Sequence, residues 1–357
     1  IEDWVGRYYA DKRVSHEPVR RFTLSNSSKC SVQIITYGAC ITSLKVPDAN
    51  DCVADVVLGF DSIDEYYKQP YYMGATVGRV SGRIAHGRFV LNNKGYLLAI
   101  NNPPNHLHGG IRGYDKVVLW ESHVQGNVVT LTYVSKDGEE GYPGECVNQA
   151  TFELTADNEL VVSYEVTTTK PCPVSLTNHS YFNLAGPAES PLSIYDHVVT
   201  INADKYTPVD RANNIPTGEL APVENTRFDF RRPVKLGDRI KAEADSAATD
   251  GFDNNFCIKG SGQRFAAKVS HPGSGRAMEM TTNMPGMQFY TSNFLPSDAS
   301  LSGRGRVTYA KHSALCLEPQ HYPNAVNQPN FPNCILNPGE TYEHTTVYKF
   351  YVESDKK

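Results

Sequence analysis

Apolar side chains recur along this chain with a period of two rather than 3.6. In Glu159–Thr167, Leu160, Val162, Tyr164 and Val166 fall on one face of a strand, with Ser163, Glu165 and Thr167 opposite. In Val128–Val134, Val129, Leu131 and Tyr133 alternate with Thr130 and Thr132. Near the C-terminus Tyr348, Phe350 and Val352 oppose Thr345, Val347 and Lys349. Turn formers stand between such stretches, as in Lys136-Asp137-Gly138, Ala156-Asp157-Asn158 and Asn337-Pro338-Gly339. Helical patterns are scarce, and Asp61–Lys68 and Lys241–Ala248 are the best short candidates. The pattern predicts an all-β, mostly antiparallel fold. No low-complexity linker or internal repeat divides the chain, so one domain over residues 1–357 is expected, with two packed sheets burying the half-apolar strands.

Composition narrows the classes. Hydrophobic residues make up 40% and charged residues 20%, enough to build a substantial core. A formal charge of -5 gives no electrostatic reason to expect nucleic acid or an anionic membrane as partner. No apolar run reaches the roughly 18 residues of a membrane span. The stretch opening Ile1-Glu2-Asp3-Trp4 lacks the apolar core of a signal peptide. Eight cysteines without a Cys-x-x-Cys pair suit reduced thiols in a cytoplasmic protein, because a chain this long needs no disulfide staples.

Four segments could carry chemistry. In Gly78-Arg79-Val80-Ser81-Gly82-Arg83 the glycines permit a sharp turn, and Arg83 offers a fork of donors; alone, this reads as a surface turn with a solvated Arg. His106-Leu107-His108-Gly109-Gly110 places both imidazoles on one face if it is a strand, which raises zinc or copper, but no nearby Asp/His cluster or Cys pair has structural-site spacing. In Val174–Tyr181, alternation sends Ser175, Thr177, His179 and Tyr181 to one polar face, where a lone His is more often structural. Ala314–His321 reads as a buried strand delivering Glu318 to its end; burial raises a carboxylate toward the range of a general base, although a paired structural Glu is the commoner case. Two further segments set Asp253 and Gln288 among aromatics.

Taken together, the wording and order of these segments resemble the aldose 1-epimerase (galactose mutarotase) family. The matching stretches are GRVSGRIAHGRF at Gly78–Phe89, NHLHGGIRGYDKVVLW at Asn105–Trp120, TNHSYFNLAG at Thr177–Gly186, GFDNNFC at Gly251–Cys257, MQFYTSN at Met287–Asn293 and LEPQHYPNAVNQPNFP at Leu317–Pro332. The likeness runs on to PGETYEHTTVYKF at Pro338–Phe350. The resemblance implies a β-supersandwich of large antiparallel sheets with the site in an open groove. It assigns Glu318 as base, His179 as the acid serving the ring oxygen, and His108 as an assisting group at the ring. Arg83, Asp253 and Gln288 match residues that hold sugar hydroxyls, and Tyr181 shares the face of His179. Gly82 stands at a substrate-binding position that is commonly Asn, so an amide contact is missing. Asn254 stands where the family often has His. Both departures are expected to change affinity or sugar preference before activity.

The implied reaction interconverts α and β anomers of a free hexose such as galactose or glucose by acid–base ring opening and closure. It needs no cofactor and no metal, and its partner is a small sugar, with no nucleic acid or membrane; a monomer or weak homodimer is expected. The rival readings are a non-catalytic sugar sensor, a hexose-6-phosphate epimerase, which would want a basic cluster beside the groove, and a hydrolase or lyase. Inverting hydrolysis would need two carboxylates about 6.5–9.5 Å apart, and Glu318 is the one candidate supported by a motif.

Overall fold

In the strand Glu159–Thr168 the buried positions are Leu160, Val162, Tyr164, Val166 and Thr168, as alternation requires. A computed structural model describes residues 2–4, 8–10, 13–15, 18–116, 120–187, 192–241 and 251–353. Its largest sheet has nine antiparallel strands in the order Glu121–Gln125, Val128–Ser135, Cys146–Leu154, Glu159–Thr168, Tyr342–Val352, Arg276–Thr282, Arg264–His271, Val198–Ile201 and Val234–Lys235. The C-terminal strand therefore closes the middle of the sheet, pairing Tyr164 with His344 on one side and Met278 with Phe350 on the other. Tyr348 and Phe350 are buried as expected, but Val352 is exposed. It lies beyond Lys349, the last residue paired with the Glu159–Thr168 strand, so one side of it lacks a covering neighbour.

A five-stranded sheet built from Glu2–Trp4, Val19–Ser25, Ser31–Ile35, Cys40–Pro47 and Val53–Asp55 supplies Phe22, Leu24, Val32, Ile34 and Leu44 to the same core as Phe152, Val162 and Phe350. A second five-stranded sheet runs Ala221–Pro222, Ala203–Tyr206, Asp253–Ile258, Gly286–Tyr290 and Cys316–Gln320. Its Phe256, Met287, Phe289 and Leu317 join that core too. One apolar face is thereby sealed and the opposite face is left to form a cleft.

The helix expected over Asp61–Lys68 is present as Ile63–Lys68, started by Ser62, whose backbone N–H donates to Glu65 at 2.9 Å. A second helix spans Leu236–Lys241, and residues 242–248 of the expected Lys241–Ala248 helix lie outside the described residues. All eight cysteines are free thiols. No described helix is long and apolar enough to cross a membrane.

Candidate active site

The cleft floor is a lateral row across three strands. Asn255 lies opposite Gln288, and Gln288 opposite Glu318, so pleating turns all three to the same face. One step along, Asp253 lies opposite Tyr290 on that face. Gln288 Nε2 donates to Asp253 Oδ1 at 2.7 Å, and Asp253 Oδ2 lies 3.7 Å from Arg83 Nη1. Arg83 is held from its other side by Nε–H donating to Asn102 Oδ1 at 3.1 Å. Asn254 points to the opposite face and does not line the cleft, so its departure from the family pattern does not touch the site.

The wall is built by two loops that lock together. Gly82 N–H donates to His108 Nδ1 at 3.2 Å, and His108 N–H returns a bond to Gly82 O at 3.0 Å. Gly82 adopts φ +72, and a Cβ there would stand 3.1 Å from Pro323. Because His108 Nδ1 is occupied as an acceptor, the neutral ring carries its proton on Nε2 and offers a donor.

The His-x-His pair does not share a face. The strand His106–Leu107 ends before His108, which takes φ +51 and leaves the extended register. His106 turns away from the cleft: its Nδ1–H donates to Ala99 O at 2.8 Å, and its Nε2 accepts from Tyr142 Oη at 2.7 Å. It is a satisfied structural histidine. The polar face expected over Val174–Tyr181 is also divided. Regular strand covers Thr177–Asn178, and His179 and Tyr181 reach the cleft while Ser175 and Thr177 do not. Ser175 Oγ instead bonds Ser81 Oγ at 3.0 Å and accepts from His321 N–H.

His179 Nε2 sits 3.6 Å from Glu318 Oε1. Both side chains are almost wholly buried, and burial disfavours the charged form of each. Glu318 is pushed well above the usual carboxylate range by desolvation, reinforced by the charge of Asp253 and opposed by Arg83. Burial lowers His179 to about 4. His108 is pushed well down by burial, with His179, Arg83 and Lys116 adding positive potential. Burial therefore favours the protonated carboxyl of Glu318 and the neutral form of both imidazoles. Donor atoms of His108, His179 and Glu318 lie within 4.8 Å of one another, a spacing that a metal ion could bridge. The Gly82 hydrogen bond argues otherwise for His108, whose Nε2 then has no lone pair to give.

Every residue singled out for the site lines this one cleft: Glu318, His179, His108, Arg83, Gly82, Asp253, Gln288 and Tyr181. It encloses about 310 Å³, at the low end of small-molecule sites. The Tyr181 hydroxyl is already committed to Tyr71 O at 2.9 Å, so its contribution to the wall is the ring. Tyr72, Asn102, Asn255, Tyr290 and Gln320 also line the cleft and escaped the sequence reading. Strand alternation points to Asn255 and Gln320, two residues from Asp253 and Glu318; nothing local points to Tyr72 or Asn102. Asn255 Oδ1 and Nδ2, Gln288 Oε1 and Gln320 Oε1 are buried without a protein partner. A face of buried, unpaired amide groups is costly unless a polyhydroxyl ligand satisfies it.

Comparison with known proteins sets the chain among its relatives. The family model for aldose 1-epimerase matches residues 20–349. The chain belongs to the aldose 1-epimerase family. It is 51% identical over 345 residues to a galactose mutarotase from Bos taurus, covering 96% of this chain and 97% of that protein. It is 34% identical over 341 residues to an aldose 1-epimerase from Escherichia coli, covering 94% and 96%. Among solved structures, an aldose epimerase homologue from C. elegans superposes with a TM-score of 0.87 at 30% identity, covering 94% of this chain and 100% of that one. A galactose 1-epimerase from Lactobacillus acidophilus gives 0.80 at 27%, covering 98% of each. The antiparallel β-rich architecture expected of the family is the one observed.

Proposed function

We propose that the cleft interconverts the α and β anomers of free hexoses such as galactose and glucose, with Glu318 and His179 as the proton-transfer pair. The observation that carries this reading is the approach of His179 Nε2 to Glu318 Oε1 at 3.6 Å inside a buried pocket whose other polar atoms await partners. O1 and O5 of a pyranose are both bonded to C1, so two groups this close can address both oxygens.

One proton serves the pair. Burial favours it on Glu318; moved to His179, it leaves a carboxylate beside an imidazolium. In that state Glu318 takes the O1 proton while His179 protonates O5, and the C1–O5 bond opens to the aldehyde. Rotation about C1–C2 turns the other carbonyl face to the C5 hydroxyl. Glu318 then returns its proton to O1, His179 accepts the one from O5, and the ring closes as the other anomer. Neither half consumes anything else, and each group works near hydrogen-bond reach of its oxygen. His108 donates from Nε2 to the ring region as a neutral group. Arg83, Asp253 and Gln288, already linked to one another, hold hydroxyls.

We read the whole chain as one catalytic domain, because one hydrophobic cluster runs from Phe22 to Phe350. The test is a polarimeter trace of freshly dissolved α-galactose. Rotation should relax to equilibrium faster in proportion to protein concentration, and an unaltered rate at micromolar protein would refute the proposal.

A further inference from the structure

Tyr72 is absent from the motifs that identify the site, yet its ring is the cleft wall behind both histidines. Its centroid lies 4.7 Å from that of His108 at 64°, edge-on, and 6.1 Å from that of His179 at 22°, nearly parallel. Tyr181 adds a second near-parallel ring on His179 at 5.0 Å and 21°. The two histidines meet each other at 5.5 Å and 82°. A ring that lies flat along one imidazole and meets the other at its edge opposes rotation of both about χ2, a torsion that is otherwise broad.

The backbone beneath Tyr72 is tied to the strand that carries His179. Gly74 N–H donates to His179 O, and His179 N–H donates to Ala75 O, both at 2.9 Å. Asn178 Nδ2 donates to Gly74 O at 2.8 Å, and Tyr181 Oη to Tyr71 O at 2.9 Å. Gln69 Oε1 accepts from the N–H groups of Tyr71 and Met73 at 2.8 and 3.4 Å. Within this brace Tyr72 takes φ +58, an uncommon conformation for a bulky side chain. The left-handed φ is what aims the ring into the cleft. Lys116 Nζ lies 4.9 Å from the ring centroid and steadies it by a cation–π contact.

We infer that Tyr72 is a positioning residue for the two histidines of the site: its ring fixes the planes of His179 and His108, so that Nε2 of each is aimed at the sugar. This rests on the reading of the cleft as a mutarotase site. Asn and Gly both tolerate a left-handed backbone, so Tyr72→Asn and Tyr72→Gly delete the ring without adding strain. Both should lower kcat by about 10–100-fold while KM stays within about 3-fold, because misorientation of a reacting group falls on the chemical step. Tyr72→Phe, which keeps the ring, should restore kcat to within about 3-fold of the wild type.

A second readout does not need turnover. In imidazole 1H–15N spectra, His179 should give one sharp set of ring resonances in the wild type and an exchange-broadened or doubled set in Tyr72→Gly. Wild-type kcat in the Asn and Gly variants, or an unchanged His179 spectrum in Tyr72→Gly, would overturn the inference. So would a loss in Tyr72→Phe as deep as in Tyr72→Asn, which would transfer the role to the hydroxyl. A wild-type protein without mutarotation would refute the functional reading instead, and the spectra would still test the brace.

Discussion

His179 and Glu318 face each other across 3.6 Å, the imidazole Nε2 toward carboxylate Oε1, with burial driving the two titrations in opposite directions. Burial favours the acid form of Glu318 and the base form of His179, so it favours a single proton on the pair. For a reaction that must both give and take a proton in each direction, this is the useful arrangement.

Replacing Glu318 by Gln should keep the fold and sugar binding but cut mutarotation by at least about 10³-fold. The same change should also stabilise the protein. A carboxyl whose folded pKa is raised contributes stability that is fully present below its unfolded pKa and lost as pH rises through the folded value. Gln has no such loss, so the Tm advantage of Glu318→Gln should grow as pH rises above the ordinary carboxylate range. Wild-type turnover in a well-folded Glu318→Gln protein would remove Glu318 from the role of base.

His179→Ala should act chiefly on kcat, and Arg83→Ala and Asp253→Ala chiefly on KM, since hydroxyl contacts formed in the ground state are uniform binding. The Asp253 change should be the more severe of the two KM effects, because it strands both Arg83 and Gln288 Nε2. Steady-state kinetics on the three variants decide this; a His179 effect confined to KM would exchange the assignments.

Acid stability has a separate source in the buried histidines. His106, His179 and His321 are lowered to about 4, and His197 and His344 to about 3, each chiefly by burial. Their neutral forms belong to the folded state, and the unfolded chain binds more protons once pH falls below about 6.5. Stability from these groups is complete above that value and is lost progressively down to about pH 3. Thermal melts from pH 7 to 4 should show a Tm falling by several degrees per pH unit; a flat profile would contradict the burial of these rings.

Ring opening and cleavage at C1 differ in the fate of O1. With Glu318 taking the O1 proton, a sugar labelled with heavy oxygen at O1 should change anomer many times before losing its label. A methyl galactoside, having no O1 proton, should bind weakly and stay intact. Asp253 brings a second carboxylate into the cleft, but its oxygens are engaged by Gln288 and Arg83. Mass spectrometry alongside polarimetry measures the label; one label lost per anomerisation would point to hydrolytic chemistry by a carboxylate pair.

Much of the site was legible because strands alternate. A run such as Cys316–Gln320 announces a buried strand with Glu318 on one face, and the motif wording marks His179, His108 and Asp253. The reading went astray where the backbone stops being regular. A strand running through His106 and His108 would put both on one face, and φ +51 at His108 separates them. Unbroken alternation would likewise set Ser175 and Thr177 beside His179, and Ser175 instead ties two loops together.

The sequence by itself determined the period-two strands, the all-β class and the family, and it marked the proposed reactive groups, because these depend on residue type and on neighbours a few positions away. Tertiary structure alone decided which strands lie side by side, since register is set by non-local hydrogen bonds and packing. It brought Asn255, Gln288 and Glu318 into one row and placed Tyr72 against two histidines more than thirty residues away. It also decided the protonation of the site. A pKa depends on burial and on charges close in space, and the tautomer of His108 depends on an N–H from Gly82, across a turn in another loop.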